Sequence, residues 1–203
     1  SEALIYSRMK ESNKIFFKLM FIYGCRTQEL RLCQPQHLDF KNKLWTVPNE
    51  LNKPKDKKDL GQTKAIKRPL FDQTIELFEK AIKLNPKSAW VFPKNIRATG
   101  DEPVSDTAML DIPQRLRLKV IDKYPDTVMP NWTKHDIRRT VRTRMSNIVA
   151  RDVAESMLGH VLGGTEDHYN HNDFIEEKLE GYKEWFEILD KLWVKGEQVK
   201  VNF

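Results

Sequence analysis

The chain has 203 residues, enough for one domain with a sizeable core, and its 35 Lys and Arg residues outweigh 29 Asp and Glu to give a formal net charge of +6. No apolar run approaches the roughly 20 residues of a membrane span, and the first residues lack the apolar segment of a secretion signal, so we expect neither a membrane protein nor an exported one. Two cysteines, Cys25 and Cys33, are too few for a disulfide framework, which favours a reducing cytoplasm and predicts two small buried side chains.

The hydrophobic pattern of the first third predicts a helix followed by a hairpin. Apolar residues at helical spacing predict a helix over residues 7–23, which Gly24 ends. Two short strands are predicted over residues 45–47 and 66–70, and the lysine-rich loop between them makes a hairpin with a long basic tip. Together with the helices that follow, this predicts a mainly α-helical fold with a small antiparallel β-sheet.

Helical patterns continue through the rest of the chain. They predict helices over residues 73–84 and 105–121, with residues 94–103 as the one candidate linker. Three later helices are each marked by a capping residue and a carboxylate three positions on: Thr133 with Asp136, Asp152 with Glu155, and Asp173 with Glu176. The last helix carries an apolar stripe that must bury against something: Ile175, Leu179, Tyr182, Phe186, Leu189 and Trp193.

Charge is distributed unevenly along the chain. Residues 53–68 hold seven basic and two acidic residues, and residues 134–151 hold six basic and one acidic. Residues 173–190 reverse the balance, with seven acidic and two basic. The middle of the chain is therefore predicted to form a face that binds a polyanion, although solvated helix faces would account for the same charge counts.

A few residues of chemical interest stand in the basic half. His135 and Arg138 are three apart near the start of a predicted helix, which puts them on one face where the helix terminus favours an anion such as phosphate. A solvated basic helix would explain this pair equally. The tripeptide LGH ends at His160, and Tyr169 follows nine residues later.

The order of these residues resembles the tyrosine recombinase, or phage integrase, family. The family's sequence of active-site residues is Arg, Lys, His-x-x-Arg, His and Tyr, and the positions that match it are Arg26, Lys53, His135, Arg138, His160 and Tyr169. Glu29 matches the acidic residue three after the first arginine. The flanking segments at residues 45–53 and 158–174 look like integrases of satellite prophages and genomic islands. The resemblance extends over residues 16–193 and implies the tyrosine recombinase catalytic-domain fold.

The resemblance implies metal-free phosphoryl transfer, and the chemistry of the matched residues agrees. Arg26 and Arg138 would clamp the non-bridging oxygens of the scissile phosphate. Glu29 would hold Arg26 in place, or the two would form an ordinary ion pair within one helical turn. His160 would donate another hydrogen bond, and His135 could do so or accept the proton of the nucleophile. Tyr169 would attack to give a 3′-phosphotyrosyl bond while Lys53 protonates the leaving 5′ oxygen. No cofactor or metal ion is expected.

The sequence departs from the family pattern at the first glycine and in the hairpin. Tyr23 stands where the family usually has Thr before the glycine, which is a change of packing. The hairpin loop is long, so several lysines are rivals of Lys53 for the role of general acid: Lys55, Lys57, Lys58 and Lys64. These four, with Lys134, Arg139 and Arg142, are also the predicted contacts to DNA phosphates.

Other functional classes remain open at this point. His160, His168 and His171 could hold a metal ion, but they lack the cysteine or carboxylate partners of a strong zinc pattern. A type IB topoisomerase-like enzyme would use the same chemistry to relax supercoils, and a non-catalytic DNA-binding module could keep a relict site.

The resemblance also implies an organisation and a set of partners. Residues 1–172 would form the catalytic domain through the nucleophile, and residues 173–203 an amphipathic helix and tail that dock on a neighbouring protomer or in cis. The family's N-terminal DNA-binding domains are not found in this sequence, which starts without Met as a domain cut from a longer protein would. The expected partners are double-stranded DNA at attachment sites, a homotetramer on that DNA formed from isolated monomers, and accessory directionality or DNA-bending proteins. A bacterial, nucleoid-associated location in the cytoplasm follows.

Overall fold

Seven α-helices surround a three-stranded antiparallel sheet in the described parts of a computed structural model, which cover residues 9–51, 64–94, 100–160 and 173–194. The predicted fold class, mainly α with a small antiparallel sheet, is confirmed. The helices are α1 (Glu11–Tyr23), α2 (Thr27–Arg31), α3 (Asp72–Leu84), α4 (Asp106–Lys123), α5 (Lys134–Met145), α6 (Arg151–Met157) and α7 (Ile175–Val194). The strands, in spatial order, are β1 (Leu38–Asp39), β2 (Leu44–Val47) and β3 (Ile66–Pro69).

Helix α1 is the centre of the core. Seven of its 13 residues are buried, because its sequence is apolar on most of its circumference. It packs against α3, α5 and α7, so three sides of the helix are covered by other helices. Its C-terminal end is consequently enclosed by elements from distant parts of the chain.

The sheet is fastened to this core by aromatic side chains. Trp45 of β2 is fully buried, with its ring 5.4 Å from Tyr23 of α1 and 5.5 Å from Phe78 of α3, both in edge-on arrangements. In the β2–β3 register Trp45 is opposite Arg68 and Val47 is opposite Ile66. The predicted hairpin strands are therefore present, each differing from the prediction by one residue at one end, and β1 is an additional strand that was not predicted.

Two of the predicted helix caps are wrong, and one is confirmed. The Thr133 amide donates to Asp136 Oδ2 at 2.9 Å, as the capping pattern predicted. Helix α6 starts before Asp152, at Arg151, so that carboxylate lies inside the first turn. Asp173 precedes α7 by two residues and accepts a hydrogen bond from Lys67 Nζ at 2.7 Å. A carboxylate near the start of a helix can accept hydrogen bonds from several different groups. The spacing of residues in the sequence does not show which of these groups it binds.

The predicted bounds differ from the structure in three further places. Helix α1 begins at Glu11, since Met9 and Lys10 are not helical. The short helix α2 was not predicted because five residues are too few for a periodic pattern. The ends of the predicted linker over residues 94–103 are paired with each other: the Lys94 amide donates to the Glu102 carbonyl at 2.7 Å, and Pro93 pairs with Pro103. Residues 95–99 lie outside the described residues.

Helix α7 packs on β3, α1 and α6 of its own chain. Tyr182, Trp185 and Leu189 are buried, the Tyr182 hydroxyl donates to the Met157 carbonyl at 3.2 Å, and the Trp185 indole donates to the Phe21 carbonyl at 2.8 Å. Of the predicted apolar stripe, Tyr182 and Leu189 are buried, and the other four residues are half-buried: Ile175, Leu179, Phe186 and Trp193. Trp185 is buried as well, although the prediction did not count it in the stripe. Within the described ranges no helix is long and apolar enough to cross a membrane.

One buried residue of α7 is a lysine on the side of the helix that contacts β3. Lys178 is 2% exposed, its Nζ donates to the Lys67 carbonyl of β3 at 3.1 Å, and burial together with nearby Arg68 lowers its pKa to about 8. A lowered pKa in the folded state means that the charged lysine costs stability below about pH 8, and that the cost disappears as the pH rises towards the pKa of the unfolded chain.

Replacing this lysine by an apolar residue of similar length is therefore expected to stabilise the domain near neutral pH. Lys178→Met should raise the free energy of unfolding by about 2 kcal/mol at pH 7, and the difference should vanish near pH 10. Denaturant unfolding from pH 6 to pH 10 measures it, with Lys191→Met on the exposed side of α7 as the control. If the difference in unfolding free energy between Lys178→Met and the native chain did not change with pH, the charged form of Lys178 would not be what costs stability.

Candidate active site

The turn after α1 positions the first of the matched residues. Gly24 ends the helix with a left-handed φ of 57°, and a Cβ there would lie 2.7 Å from Val141 Cγ1 of α5. Glycine suits both the left-handed φ and the absence of space for a Cβ. It therefore allows α5 to approach the end of α1 closely. Arg26 is two residues after Gly24 and immediately precedes Thr27, the first residue of α2.

Arg26 is held by a buried carboxylate. Its Nη1 donates to Glu29 Oε1 at 3.1 Å, with a quarter of the arginine side chain exposed and none of the glutamate. The other oxygen of Glu29 accepts from Arg68 Nη2 at 2.7 Å. Sequence analysis counted Arg68 only among the basic residues of the hairpin, whereas the strand turns it into the core. The alternation of Ile66, Lys67 and Arg68 along β3 was the signal that it faces inward.

Arg138 lies at the junction of three segments. Its Nη1 donates to the Gly24 carbonyl at 2.9 Å and its Nη2 to the Leu158 carbonyl at 2.6 Å. The same Nη2 is 2.9 Å from His160 Nε2. Burial and the neighbouring Arg26 lower the pKa of Arg138 to about 10, so the guanidinium stays charged at neutral pH.

His160 is positioned by the turn that ends α6. Gly159 has a φ of 68°, and a Cβ there would be 2.2 Å from Ile66 Cδ1, so the turn is pressed against β3. The imidazole Nδ1 binds Glu155 Oε2, while Glu155 Oε1 accepts from Arg142 Nε at 3.1 Å. A carboxylate at Nδ1 assigns the ring proton to that nitrogen, which makes Nε2 an acceptor facing Arg138. Donating to a phosphate oxygen, as the resemblance implied, then needs a second proton on Nε2.

Electrostatics at His160 and Glu155 follow from these contacts. Burial lowers the pKa of His160, Glu155 raises it, and Arg138 lowers it again, with a net shift downward. Burial acts to raise the pKa of Glu155, but the hydrogen bonds from His160 and Arg142 outweigh it and keep that pKa low. At neutral pH the pair is therefore an ionised carboxylate and a neutral imidazole.

The remaining matched residues are less enclosed or lie outside the described ranges. His135 is exposed in the first turn of α5, three residues before Arg138. Lys64 is exposed just before β3. Several residues with predicted roles fall outside the described residues: Lys53, Lys55, Lys57, Lys58, His168, Tyr169 and His171. No group of three or more metal-binding side chains is found in the part of the chain that the structure describes.

The basic residues of α5 are partly engaged with carboxylates. Lys134 Nζ pairs with Asp106 of α4, and Arg142 pairs with Glu155. Arg139 is the most exposed of the three and lies 3.5 Å from Asp136. Beside them, an open cleft of about 460 Å³ is lined by Arg26, Gln28, Arg31 and Asp106. The cleft on the side where Arg26 is partly exposed is therefore lined by two arginines and one aspartate.

Comparison with known proteins decides the family. A sequence profile of the phage integrase family matches residues 2–176. The chain belongs to the phage integrase family. It is 25% identical over 177 residues to prophage integrase IntZ of Escherichia coli (strain K12), covering 86% of this chain and 39% of IntZ. It is equally similar to the integrase of Shigella phage Sf6, covering 41% of that protein. This phage integrase chain thus spans about two fifths of the length of both relatives.

The fold of this phage integrase chain is shared with a solved structure of an integrase on DNA. The integrase of transposon Tn1549, in complex with transposon right-end DNA, superposes with a TM-score of 0.61 at 18% identity. The superposition covers 93% of this chain and 64% of that chain. The predicted catalytic-domain fold is therefore confirmed.

The contact between Glu155 and His160 can be tested in the isolated integrase chain. Because the carboxylate raises the pKa of His160 against burial, Glu155→Gln should lower that pKa further. Long-range ¹H–¹⁵N NMR of the imidazole measures both the pKa and the tautomer. Glu176→Gln, an exposed carboxylate of α7, is the control. An unchanged or higher pKa in Glu155→Gln would show that the carboxylate does not act on His160.

Proposed function

We propose that this chain is the catalytic domain of a site-specific DNA recombinase that cleaves and rejoins DNA through a 3′-phosphotyrosyl intermediate. One observation carries the proposal: residues far apart in sequence, which the family pattern names as catalytic, come together at the C-terminal end of α1. Arg138 is in hydrogen-bond contact with His160, and the charge of Arg26 acts on both. Such convergence gives one phosphate two guanidinium groups and an imidazole.

Cleavage would proceed by one in-line displacement. The phenolic oxygen of Tyr169 attacks phosphorus and forms the phosphotyrosyl bond, while the bond from phosphorus to the 5′ oxygen breaks. The phenolic proton passes to His135, and Lys53 supplies a proton to the departing 5′ oxygen. Tyrosine has an ordinary pKa near 10, so this step needs strong stabilisation of the charge that develops on the phosphate.

Arg26 and Arg138 would supply that stabilisation. Both guanidinium groups are fixed before the reaction, Arg26 by Glu29 and Arg138 by two backbone carbonyls, so little reorganisation is needed when negative charge builds on the non-bridging oxygens. Approach of a phosphate dianion-like transition state would also raise the pKa of His160 and favour the proton on Nε2 that a hydrogen bond to phosphate requires.

Rejoining would reverse the same step with a different strand. The phosphotyrosyl bond keeps the energy of the phosphodiester, so a 5′ hydroxyl from another duplex can displace the tyrosine without ATP or a cofactor. We infer a homotetramer on paired attachment sites, assisted by directionality or DNA-bending proteins, acting on nucleoid DNA in a bacterial cytoplasm. Because Tyr182, Trp185 and Leu189 of α7 are buried in their own chain, residues 195–203 are the part we assign to docking on a neighbouring protomer.

The decisive experiment traps the covalent intermediate. Duplexes with a randomised core and a nick that releases the cleaved end are incubated with the chain, and covalently bound DNA is recovered from denaturing gels and sequenced. Tyr169→Phe is expected to abolish the adduct while leaving DNA binding almost intact, because it removes only the nucleophilic oxygen. Tyr124→Phe, which changes an exposed tyrosine on the surface, is the matched control. Adducts that persist in Tyr169→Phe would assign the attack to another residue.

The trapping experiment also separates the other functional classes. DNA binding without any adduct would indicate a non-catalytic module. Relaxation of a supercoiled plasmid without strand exchange between two duplexes would indicate a topoisomerase-like enzyme.

The general acid can be isolated by changing the leaving group. Lys53→Ala should slow cleavage of ordinary DNA by about 10² to 10⁴, the usual contribution of a positioned acid. With sulfur in place of the scissile 5′ oxygen the leaving group needs no proton, so the defect should largely vanish. It should persist in Arg26→Ala and Arg138→Ala, whose role is independent of the leaving atom.

The hairpin lysines provide the comparison for that experiment. If sulfur restores cleavage in an alanine variant of Lys55, Lys57, Lys58 or Lys64 instead, the role of general acid moves to that residue. If sulfur restores cleavage in none of the lysine variants, Lys53→Ala included, a lysine is not the general acid.

Binding to DNA is expected to depend on salt, because the predicted basic contacts neutralise phosphates. Arg139→Ala should reduce the slope of log affinity against log salt by about 0.9, the value for one lost phosphate contact, on specific and scrambled duplexes alike. Lys83→Ala is a matched control, since Lys83 on α3 is about equally exposed and also pairs with a carboxylate of its own helix. Equal slopes for the native chain and Arg139→Ala would remove this face from the DNA interface.

A further inference from the structure

A buried arginine stands behind the candidate site. The Arg68 side chain is fully buried, its Nη2 donates to Glu29 Oε2 at 2.7 Å, and its guanidinium carbon is 4.9 Å from the centre of the Trp45 ring. Nothing in the proposed reaction uses Arg68, which has no exposure to DNA. Among the described residues its ion pair is with Glu29, the carboxylate that also holds Arg26.

Stability alone does not account for a charge at this position. Two donors of Arg68, Nε and Nη1, have no hydrogen-bond partner among the described residues. A buried ion pair replaced by well-packed apolar residues is often as stable or more stable, because two desolvated charges are removed together. The strand neighbours Ile66 and Pro69 are apolar, so apolar side chains at both Arg68 and Glu29 would be compatible with these surroundings.

The charges of the three side chains suggest a role. Glu29 is negative and buried, with one oxygen on Arg26 and the other on Arg68, so the three together carry one positive charge. Without Arg68 the sum would be zero. The glutamate would then bind Arg26 more strongly, since attraction between opposite charges is large where solvent is excluded. An arginine bound tightly to its own carboxylate gives less stabilisation to a phosphate.

We propose that Arg68 is a positioning residue that compensates the charge of Glu29 and thereby leaves the charge of Arg26 available to the scissile phosphate. The inference rests on the proposed function and adds to it a second arginine that acts through the first. Arg68 does not touch the DNA.

A set of four variants tests this role on the duplex recovered by trapping. Arg68→Met should slow single-turnover adduct formation at saturating DNA by at least about tenfold, a part of the 10² to 10³ that a charge-stabilising donor contributes. Arg68→Lys keeps the charge and should react at close to the native rate. Adding Glu29→Gln to Arg68→Met removes the negative charge that needs compensation but keeps a side-chain oxygen that can accept from Arg26, and it should restore the rate to within about threefold. Lys178→Met removes another buried charge and is the control, with a native rate.

A neutralised substrate separates this role from a merely structural one. When a methyl group replaces one non-bridging oxygen of the scissile phosphate, less negative charge develops, so the defects of Arg68→Met and Arg26→Ala should shrink together. A structural defect would be the same on both substrates. Circular dichroism and thermal melts establish whether each variant is folded. If Arg68→Met does not fold, Arg68→Lys and the double variant still provide the test.

A binding measurement gives an outcome that is independent of cleavage. On a duplex of arbitrary sequence, Arg68→Met should reduce the salt slope by about 0.9, as Arg26→Ala does, although Arg68 is buried. A native slope, a native rate, or a rate defect that Glu29→Gln does not relieve would overturn the role of Arg68. Absence of an adduct with the native chain would instead overturn the proposed function, and the salt slope would still decide the inference.

Discussion

The guanidinium of Arg138 holds together the parts of the molecule on which the site depends. It donates to the carbonyls of Gly24 and Leu158, which are the C-terminal caps of α1 and α6. Carbonyls at helix ends lack hydrogen-bond partners within their helix and carry partial negative charge. The single guanidinium group therefore provides a hydrogen-bond donor and a positive charge to the C-terminal ends of two helices. Arg138 therefore joins the central helix to the turn that carries His160, and the positions of Arg26 and His160 relative to each other follow from it.

Two carboxylates behind the candidate site are each shared between two side chains. Glu29 is shared between Arg26 and Arg68, and Glu155 is shared between His160 and Arg142. In each case one partner faces the candidate phosphate position and the other compensates the acid. A cluster of cations can be assembled without a phosphate only if neighbouring acids limit the repulsion, and acids without a second partner would cancel the charge that the chemistry needs.

Sequence analysis predicted much of the fold, and the features that it missed have a common physical cause. Helical periodicity predicted the long helices, because burial of one face repeats every few residues. The order of the matched residues predicted that Arg26, Arg138 and His160 converge, and they do. The roles of Arg68 and Glu155 were not predicted, because their partners are fixed by strand and helix packing. Glu155 was even interpreted as half of a cap, since a carboxylate in a first turn has the same local pattern in either role.

One further consequence concerns the cysteine that precedes Arg26. Cys25 is 1% exposed and unpaired, and burial, with Glu29 nearby, raises the pKa of its thiol to about 12. The thiolate is the species that oxidants and alkylating reagents attack, and here it is both scarce and shielded from solvent. The candidate site thus has a sulfur atom in its framework but no redox sensitivity from it. Peroxides or small disulfides would react with Cys25 only after local unfolding at the C-terminal end of α1 had exposed its thiol.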